Sequence, residues 1–153
     1  MHRLPVTSIM QQPVITIHPE AAVTDAAELM EDLNIRRLPV IDENDCLVGI
    51  VTDTDVLEAE TANSVLSSYE RSAEGEWLTV ADIMTREVIT IAVNAKVGEL
   101  AITMMTHKIG GLPVVQRDNT HCNQQRVVGI VTETDIFRMI ADAWHAEVAD
   151  IAP

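Results

Sequence analysis

Aromatic side chains are nearly missing from this chain: one Phe, one Tyr and two Trp in 153 residues. That removes the stacking platforms on which single-stranded nucleic acid is held and leaves any core to aliphatic residues. Basic residues are scarce too, with 10 Lys and Arg against 24 Asp and Glu and a formal net charge of −14. A nucleic-acid binder needs cationic side chains to displace counterions from phosphates, and an anionic membrane surface is met in the same way. The balance argues against both partners, and a phosphate-bearing ligand would have to be held locally. No apolar run approaches the roughly 20 residues that span a bilayer, so no membrane insertion is expected. The start, Met1-His2-Arg3-Leu4-Pro5, lacks a signal-peptide apolar stretch. Two cysteines, Cys46 and Cys122, do not make a disulfide framework. The expectation is a cytoplasmic protein.

What the chain does have is a repeat. Shifted by 74 residues, Val6–Ile41 falls on Val80–Val115 with 15 of 36 positions identical. The matches include Ile9-Met10 with Ile83-Met84, Val14-Ile15-Thr16-Ile17 with Val88-Ile89-Thr90-Ile91, and Leu38-Pro39-Val40 with Leu112-Pro113-Val114. At a shift of 80, Val48–Leu57 falls on Val128–Phe137 with seven of ten identical. Six extra residues within Gln116–Arg126 account for the change and read as a longer hairpin loop.

Each copy has the same order of elements. Val14–Ile17 reads as a short β-branched strand. Val23, Ala26, Ala27, Met30 and Leu33 mark an amphipathic helix over Thr24–Asn34, with Asp25 and Glu28 suited to its positive N-terminal end. Leu38–Ile41 and Cys46–Val51 flank the polar turn Asp42–Asp45 and read as a hairpin. A second helix starts near Thr52. In copy two it carries one apolar stripe through Ile136, Phe137, Ile140, Trp144, Val148 and Ile151, longer than one small repeat needs. The polar segment Glu58–Glu76 reads as a helix extension and linker. A unit of some 50 residues is too small to bury its sheet alone. The predicted fold class is therefore α/β, with two β-α-β-β-α repeats packed sheet to sheet about a pseudo-twofold axis. The boundaries are 1–68 for repeat one, 69–79 for the linker, and 80–153 for repeat two with its C-terminal helix.

These residues resemble the cystathionine β-synthase (CBS) domain. The resemblance is carried by Ile9-Met10, Val14–Ile17, Leu38-Pro39-Val40 and Gly49-Ile50-Val51-Thr52-Asp53-Thr54-Asp55, and again in copy two through Gly129-Ile130-Val131-Thr132-Glu133-Thr134-Asp135. It covers nearly the whole chain except the linker and the last dozen residues. It implies a tandem CBS pair, or Bateman module. Such modules commonly bind AMP, ADP, ATP or S-adenosylmethionine in clefts between the repeats and regulate an enzyme, transporter or channel. The family's ribose motif is Gly, two apolar residues, Thr or Ser, two variable residues and Asp. It is met at Gly49–Asp55 and Gly129–Asp135. The resemblance implies that Asp55 and Asp135 accept the ribose hydroxyls, with Thr52 and Thr132 beside them and Thr16 and Thr90 as further contacts. The backbone around Arg37, Leu38 and Pro39 and around Gly111, Leu112 and Pro113 would hold the adenine edge. A carboxylate suits a vicinal diol because charge-assisted hydrogen bonds are strong, and a helix start offers N–H groups to a phosphate.

The same residues admit another reading. Thr52-x-x-Asp55 and Thr132-x-x-Asp135 also fit a capping box, which needs no ligand, and the two roles are compatible. Copy one carries Arg36-Arg37 where copy two has Gly110-Gly111 preceded by His107 and Lys108. Arginine forks suit phosphate and glycines admit close backbone approach; alternatively the arginines are solvated or pair with carboxylates. His121-Cys122 lacks the further ligands a metal needs. Met30, Met104 and Met105 read as core filler. The Asp53 and Asp55 pair stands without a Ser/His/Asp order, a P-loop or Zn spacing to support an enzyme. The expectation is a non-enzymatic regulatory module that needs no cofactor. It would take an adenosyl ligand, an adenine nucleotide or S-adenosylmethionine, and form a homodimer or serve a separate enzyme or transporter. The alternative is a ligand-free structural or dimerisation module acting as a regulatory subunit.

Overall fold

The computed structural model describes residues 1–69, 78–118 and 125–151, with the side chains of 63–69 left aside. Most of the expected linker, the centre of the inserted loop and the His121-Cys122 pair therefore lie outside the described residues. The elements in order are α1 (Val23–Leu33), β1 (Arg37–Ile41), β2 (Leu47–Thr52), α2 (Asp53–Tyr69), α3 (Val80–Ile83), β3 (Ile91–Ala92), α4 (Val97–His107), β4 (Gly111–Gln116), β5 (Arg126–Thr132) and α5 (Glu133–Ile151). A single 3-10 turn, Val6–Ser8, precedes them.

The chain forms two compact units, and they cut across the sequence repeat. One unit is built from the described residues of Ile15–Val88, the other from those of Met1–Val14, Ile89–Asp118 and Gln125–Pro153. Each unit thus takes its leading segment from ahead of the other copy. In the first unit Val80, Ile83 and Met84 pack with Val23, Ala26, Met30, Leu38, Val40 and Val51. In the second, Val6, Ile9 and Met10 pack with Leu100, Met104, Leu112, Val114 and Val131. The tethers are equivalent. Val80 N–H donates to the Ala21 carbonyl at 2.8 Å, and Val6 N–H donates to that of Ala95 at 2.9 Å.

The helices form where the sequence places them. Val23, Ala26 and Met30 of α1 and Val97, Leu100 and Met104 of α4 are buried at i, i+3 and i+7. Both helices end on a left-handed residue, Asn34 (φ 52°) and Lys108 (φ 55°). Asn tolerates that conformation locally, whereas Lys does so less readily. The β1–β2 hairpin pairs Arg37 with Thr52 and Leu38 with Val51, while β4–β5 pairs Gly111 with Thr132 and Leu112 with Val131. Leu38, Leu100 and Leu112 are fully buried, each contributing about 1.5–3 kcal/mol of apolar burial.

Two expectations need correction. The strand expected over Val14–Ile17 shrinks to one parallel bridge, Ile17 to Val40, and its counterpart to the two residues of β3. Ile17 N–H donates to the Pro39 carbonyl, and Ile41 N–H donates back to Ile17. The next step toward the N-terminus would require an N–H from Pro39, which has none; Pro113 stops the second copy in the same way. Cys46, beside the β1–β2 turn, is disulfide-bonded, although two cysteines gave no disulfide framework to read.

Candidate functional site

The hairpin and the helix that follows it position the motif in each unit. In copy one, Asp53 N–H donates to the Arg36 carbonyl at 2.9 Å, which sets Arg36 beside the start of α2. In copy two, Glu133 N–H makes the same 2.9 Å bond to Gly110. The leading segment then crosses the following strand. Thr85 and Ile50 exchange both backbone hydrogen bonds at 2.9 Å, and Gln11 and Ile130 do so at 2.8 and 3.1 Å. This crossing explains the first residue of the motif. A Cβ on Gly49 would lie 2.5 Å from Met84 Sδ and 3.1 Å from the Thr85 carbonyl oxygen, and one on Gly129 would lie 2.6 Å from Met10 Sδ and 3.2 Å from the Gln11 carbonyl oxygen. The glycine makes room for the crossing chain.

The acids that end the motifs differ. Asp55 is half-buried. Its Oδ2 accepts from Thr52 N–H at 2.9 Å, while Asp55 N–H donates to Thr52 Oγ1 at 3.3 Å. That reciprocal pair is the capping box. Oδ1 of Asp55 has no donor among the described residues. Asp135 is only 3% exposed. Its Oδ2 accepts from Thr132 N–H at 2.8 Å and from Thr132 Oγ1 at 3.2 Å. Its Oδ1 accepts from Gln11 Nε2 at 2.9 Å and from Arg138 NH1 at 3.2 Å. A buried carboxylate requires such partners.

The other candidate residues fall around these acids. Thr16 and Thr90 are half-buried just ahead of Ile17 and Ile91, and Thr90 Oγ1 accepts from Gln125 Nε2 at 3.3 Å. Leu38, Leu112, Pro39 and Pro113 are fully buried, so they offer a ligand backbone alone. Arg37 is half-buried and Arg36 exposed; among the described residues neither is in a salt bridge. The helix start of α2 is less open to phosphate than expected. Besides Asp53 N–H, Thr54 N–H is taken by Asp53 Oδ1 at 2.9 Å and Asp55 N–H by Thr52. No group of three or more metal-ligating side chains occurs among the described residues, and none of their helices is long and apolar enough to cross a membrane.

Sequence reasoning missed Gln11 and Arg138. The available signal was their divergence within the repeat: at the shifts already noted, Gln11 falls on Thr85 and Arg138 on Glu58. It also missed an apolar groove of about 500 Å³ between α4 and α5, lined by Met104, Met105, Ile109, Ile136 and Phe137 among others. Of the motif residues, Glu133 lines it, whereas Thr132 and Asp135 do not.

The CBS domain profile matches residues 6–62 and 80–142, one match per copy. The chain belongs to the CBS domain family. This CBS pair is 37% identical over 134 residues, 88% of its length, to an L-aspartate semialdehyde sulfurtransferase from Methanocaldococcus jannaschii, of which it spans only 23%. Its fold matches a crystal structure of the CBS domain pair of protein MJ0100 in complex with 5′-methylthioadenosine and S-adenosyl-L-methionine. The TM-score is 0.73 and the identity 35%, covering 91% of this chain and 97% of that one. It also matches CBSX2 in complex with AMP, with a TM-score of 0.71 and 26% identity, covering 92% and 98% of the two chains.

Proposed function

We propose that this CBS pair is a regulatory module that binds an adenosyl ligand through its ribose diol and passes the bound state to a partner. That partner is a second copy or a separate enzyme or transporter, and the module performs no chemistry itself. The observation that carries this reading is Asp55: a half-buried carboxylate held by Thr52 through one oxygen, with the other oxygen free of donors among the described residues. A vicinal diol supplies the missing O–H donors. The pairing of Arg37 with Thr52 and the bridge of Ile17, next to Thr16, with Val40 support including Arg37 and Thr16. Solved relatives that hold 5′-methylthioadenosine, S-adenosylmethionine or AMP support the choice of ligand class.

A thermal-shift panel with AMP, ADP, ATP, 5′-methylthioadenosine, S-adenosylmethionine and NAD tests it. A ligand bound only by the native state stabilises by about 2.7 kcal/mol at a hundredfold excess over Kd, or about 5–10 °C for a chain of this size. Asp55→Asn should remove most of that shift, and the ligand should be recovered unaltered. A flat panel would favour the ligand-free dimerisation module, for which one observation speaks: Phe137, Trp144 and Ile151 are 64%, 63% and 80% exposed along α5.

A further inference from the structure

The two motifs are alike in sequence and unlike in availability. An ionised carboxylate offers about four acceptor sites. Asp135 meets four donors from the protein itself, namely Thr132 N–H, Thr132 Oγ1, Gln11 Nε2 and Arg138 NH1. Asp55 meets one, Thr52 N–H. One of the three extra donors, the Thr132 hydroxyl, is at Oδ2; the other two are at Oδ1 and trace to two positions. Where copy two has Gln11, copy one has Thr85, whose side chain ends two bonds short of an amide nitrogen. Where copy two has Arg138, copy one has Glu58, which carries no donor when ionised. The backbone frame is the same in both, since Thr85 and Gln11 make equivalent bonds to Ile50 and Ile130. The side chains alone therefore decide whether Oδ1 is taken.

We infer that Gln11 and Arg138 form an internal latch that occupies the diol-accepting oxygen of Asp135. The module therefore takes one adenosyl ligand per chain, at Asp55. Gln11 and Arg138 stand in for the ribose hydroxyls: an amide N–H and a guanidinium N–H donate where two O–H groups would. A ligand entering copy two would have to break a charge-assisted bond to a carboxylate that is 3% exposed, and such bonds are the strong ones. At copy one no such bond to Oδ1 exists among the described residues. Selectivity between the motifs is thus set at Gln11 and Thr85 and at Arg138 and Glu58, outside the motifs themselves. This inference rests on the reading that the motif acid receives ribose.

The test is calorimetric titration of the full chain with AMP and with 5′-methylthioadenosine, using 2′-deoxyadenosine 5′-monophosphate as the probe that lacks the diol. The expected stoichiometry is one. Thr85→Gln with Glu58→Arg builds the latch into copy one while leaving Asp55 in place, and should weaken binding about tenfold or more. Both positions are exposed, so this variant should fold. Gln11→Thr with Arg138→Glu should raise the stoichiometry to two. If that variant fails to fold by circular dichroism, the copy-one pair carries the test alone. Two equivalents on the unmodified chain, unchanged affinity in Thr85→Gln/Glu58→Arg, or loss of binding in Asp135→Asn but not in Asp55→Asn would overturn the latch and leave the ribose reading intact. No binding of either probe to any variant, or equal binding of the 2′-deoxy probe, would remove the ribose reading and the latch with it.

Discussion

Gln11 Nε2 lies 2.9 Å from Asp135 Oδ1, and Thr85, its counterpart in the other copy, makes no such bond to Asp55. That amide, carried on a segment far from Asp135 in sequence, acts with the Arg138 guanidinium to occupy an oxygen whose counterpart on Asp55 has no donor among the described residues. The same acid in the same motif is therefore satisfied at both oxygens in one unit and at Oδ2 alone, among the described residues, in the other.

The two acids should differ in their weight for stability. Asp135→Ala removes a buried carboxylate, leaves the half-buried Thr132 N–H without its acceptor and strips Gln11 and Arg138 of theirs. An orphaned buried donor costs about 1–3 kcal/mol, so a loss of about 2–3 kcal/mol is expected. Asp55→Ala removes a capping-box acid at a half-buried position, for which about 1 kcal/mol is typical. Urea denaturation of the two variants without ligand gives the comparison. Equal losses would show that the burial of Asp135 has no energetic consequence.

The fold was legible because the repeat forces it: two series in one order and spacing specify the hairpins, and the buried i, i+3, i+7 positions of α1 and α4 follow from periodicity alone. The motif acids were legible as residues, but their inequality was not. It depends on Gln11, whose contact with Asp135 requires knowing that Met1–Val14 joins the unit of copy two. Sequence order suggests the opposite assignment. Likewise, the glycine of each motif read as part of a binding signature, whereas the structure shows a crossing chain over Gly49 and Gly129. The strand over Val14–Ile17 was over-read because β-propensity says nothing of the missing N–H on the partner strand at Pro39.

That crossing is testable. Gly49→Ala places a Cβ within 2.5 Å of Met84 Sδ and 3.1 Å of the Thr85 carbonyl oxygen. The thioether can swing aside, but the carbonyl is bonded to Ile50. Overpacking of this kind costs about 1–3 kcal/mol. Met84→Ala in the same chain should return part of the loss, giving a coupling of about 0.5 kcal/mol or more in a double-mutant cycle. Strict additivity would mean that Met84 is not what the new Cβ meets.

Asp82 gives a pH signature. Hydrogen bonds from the Thr79 backbone N–H and hydroxyl hold its carboxyl below the ordinary value of 3.8. A depressed folded pKa contributes stability that is fully present above the unfolded value and is lost as the pH falls through the folded one. Asp82→Asn should therefore be less stable than the parent chain at neutral pH, and the gap should close on acidification below about pH 4. Thermal melts between pH 7 and pH 3 report it. A gap that widens on acidification would have the wrong sign.

The exposed stripe of α5 predicts self-association. Phe137, Ile140, Trp144, Val148 and Ile151 are between 44% and 80% exposed on one helix, and they recur at spacings of three and four residues. Scattered surface apolar residues need no explanation, but a continuous row marks an interaction face. A second copy is a suitable occupant, because an apolar face asks little of charge complementarity in a chain carrying −14. Light scattering at micromolar concentration should return twice the mass of 16.8 kDa. Trp144→Glu should shift that mass toward the monomer without moving the helical circular dichroism signal, because Trp144 is 63% exposed and outside both core clusters. Large central aromatics at such faces commonly cost 2 kcal/mol or more when removed, or about thirtyfold in the dimer constant. A parent chain that is monomeric throughout that range would refute self-association and leave the α5 face to a different protein.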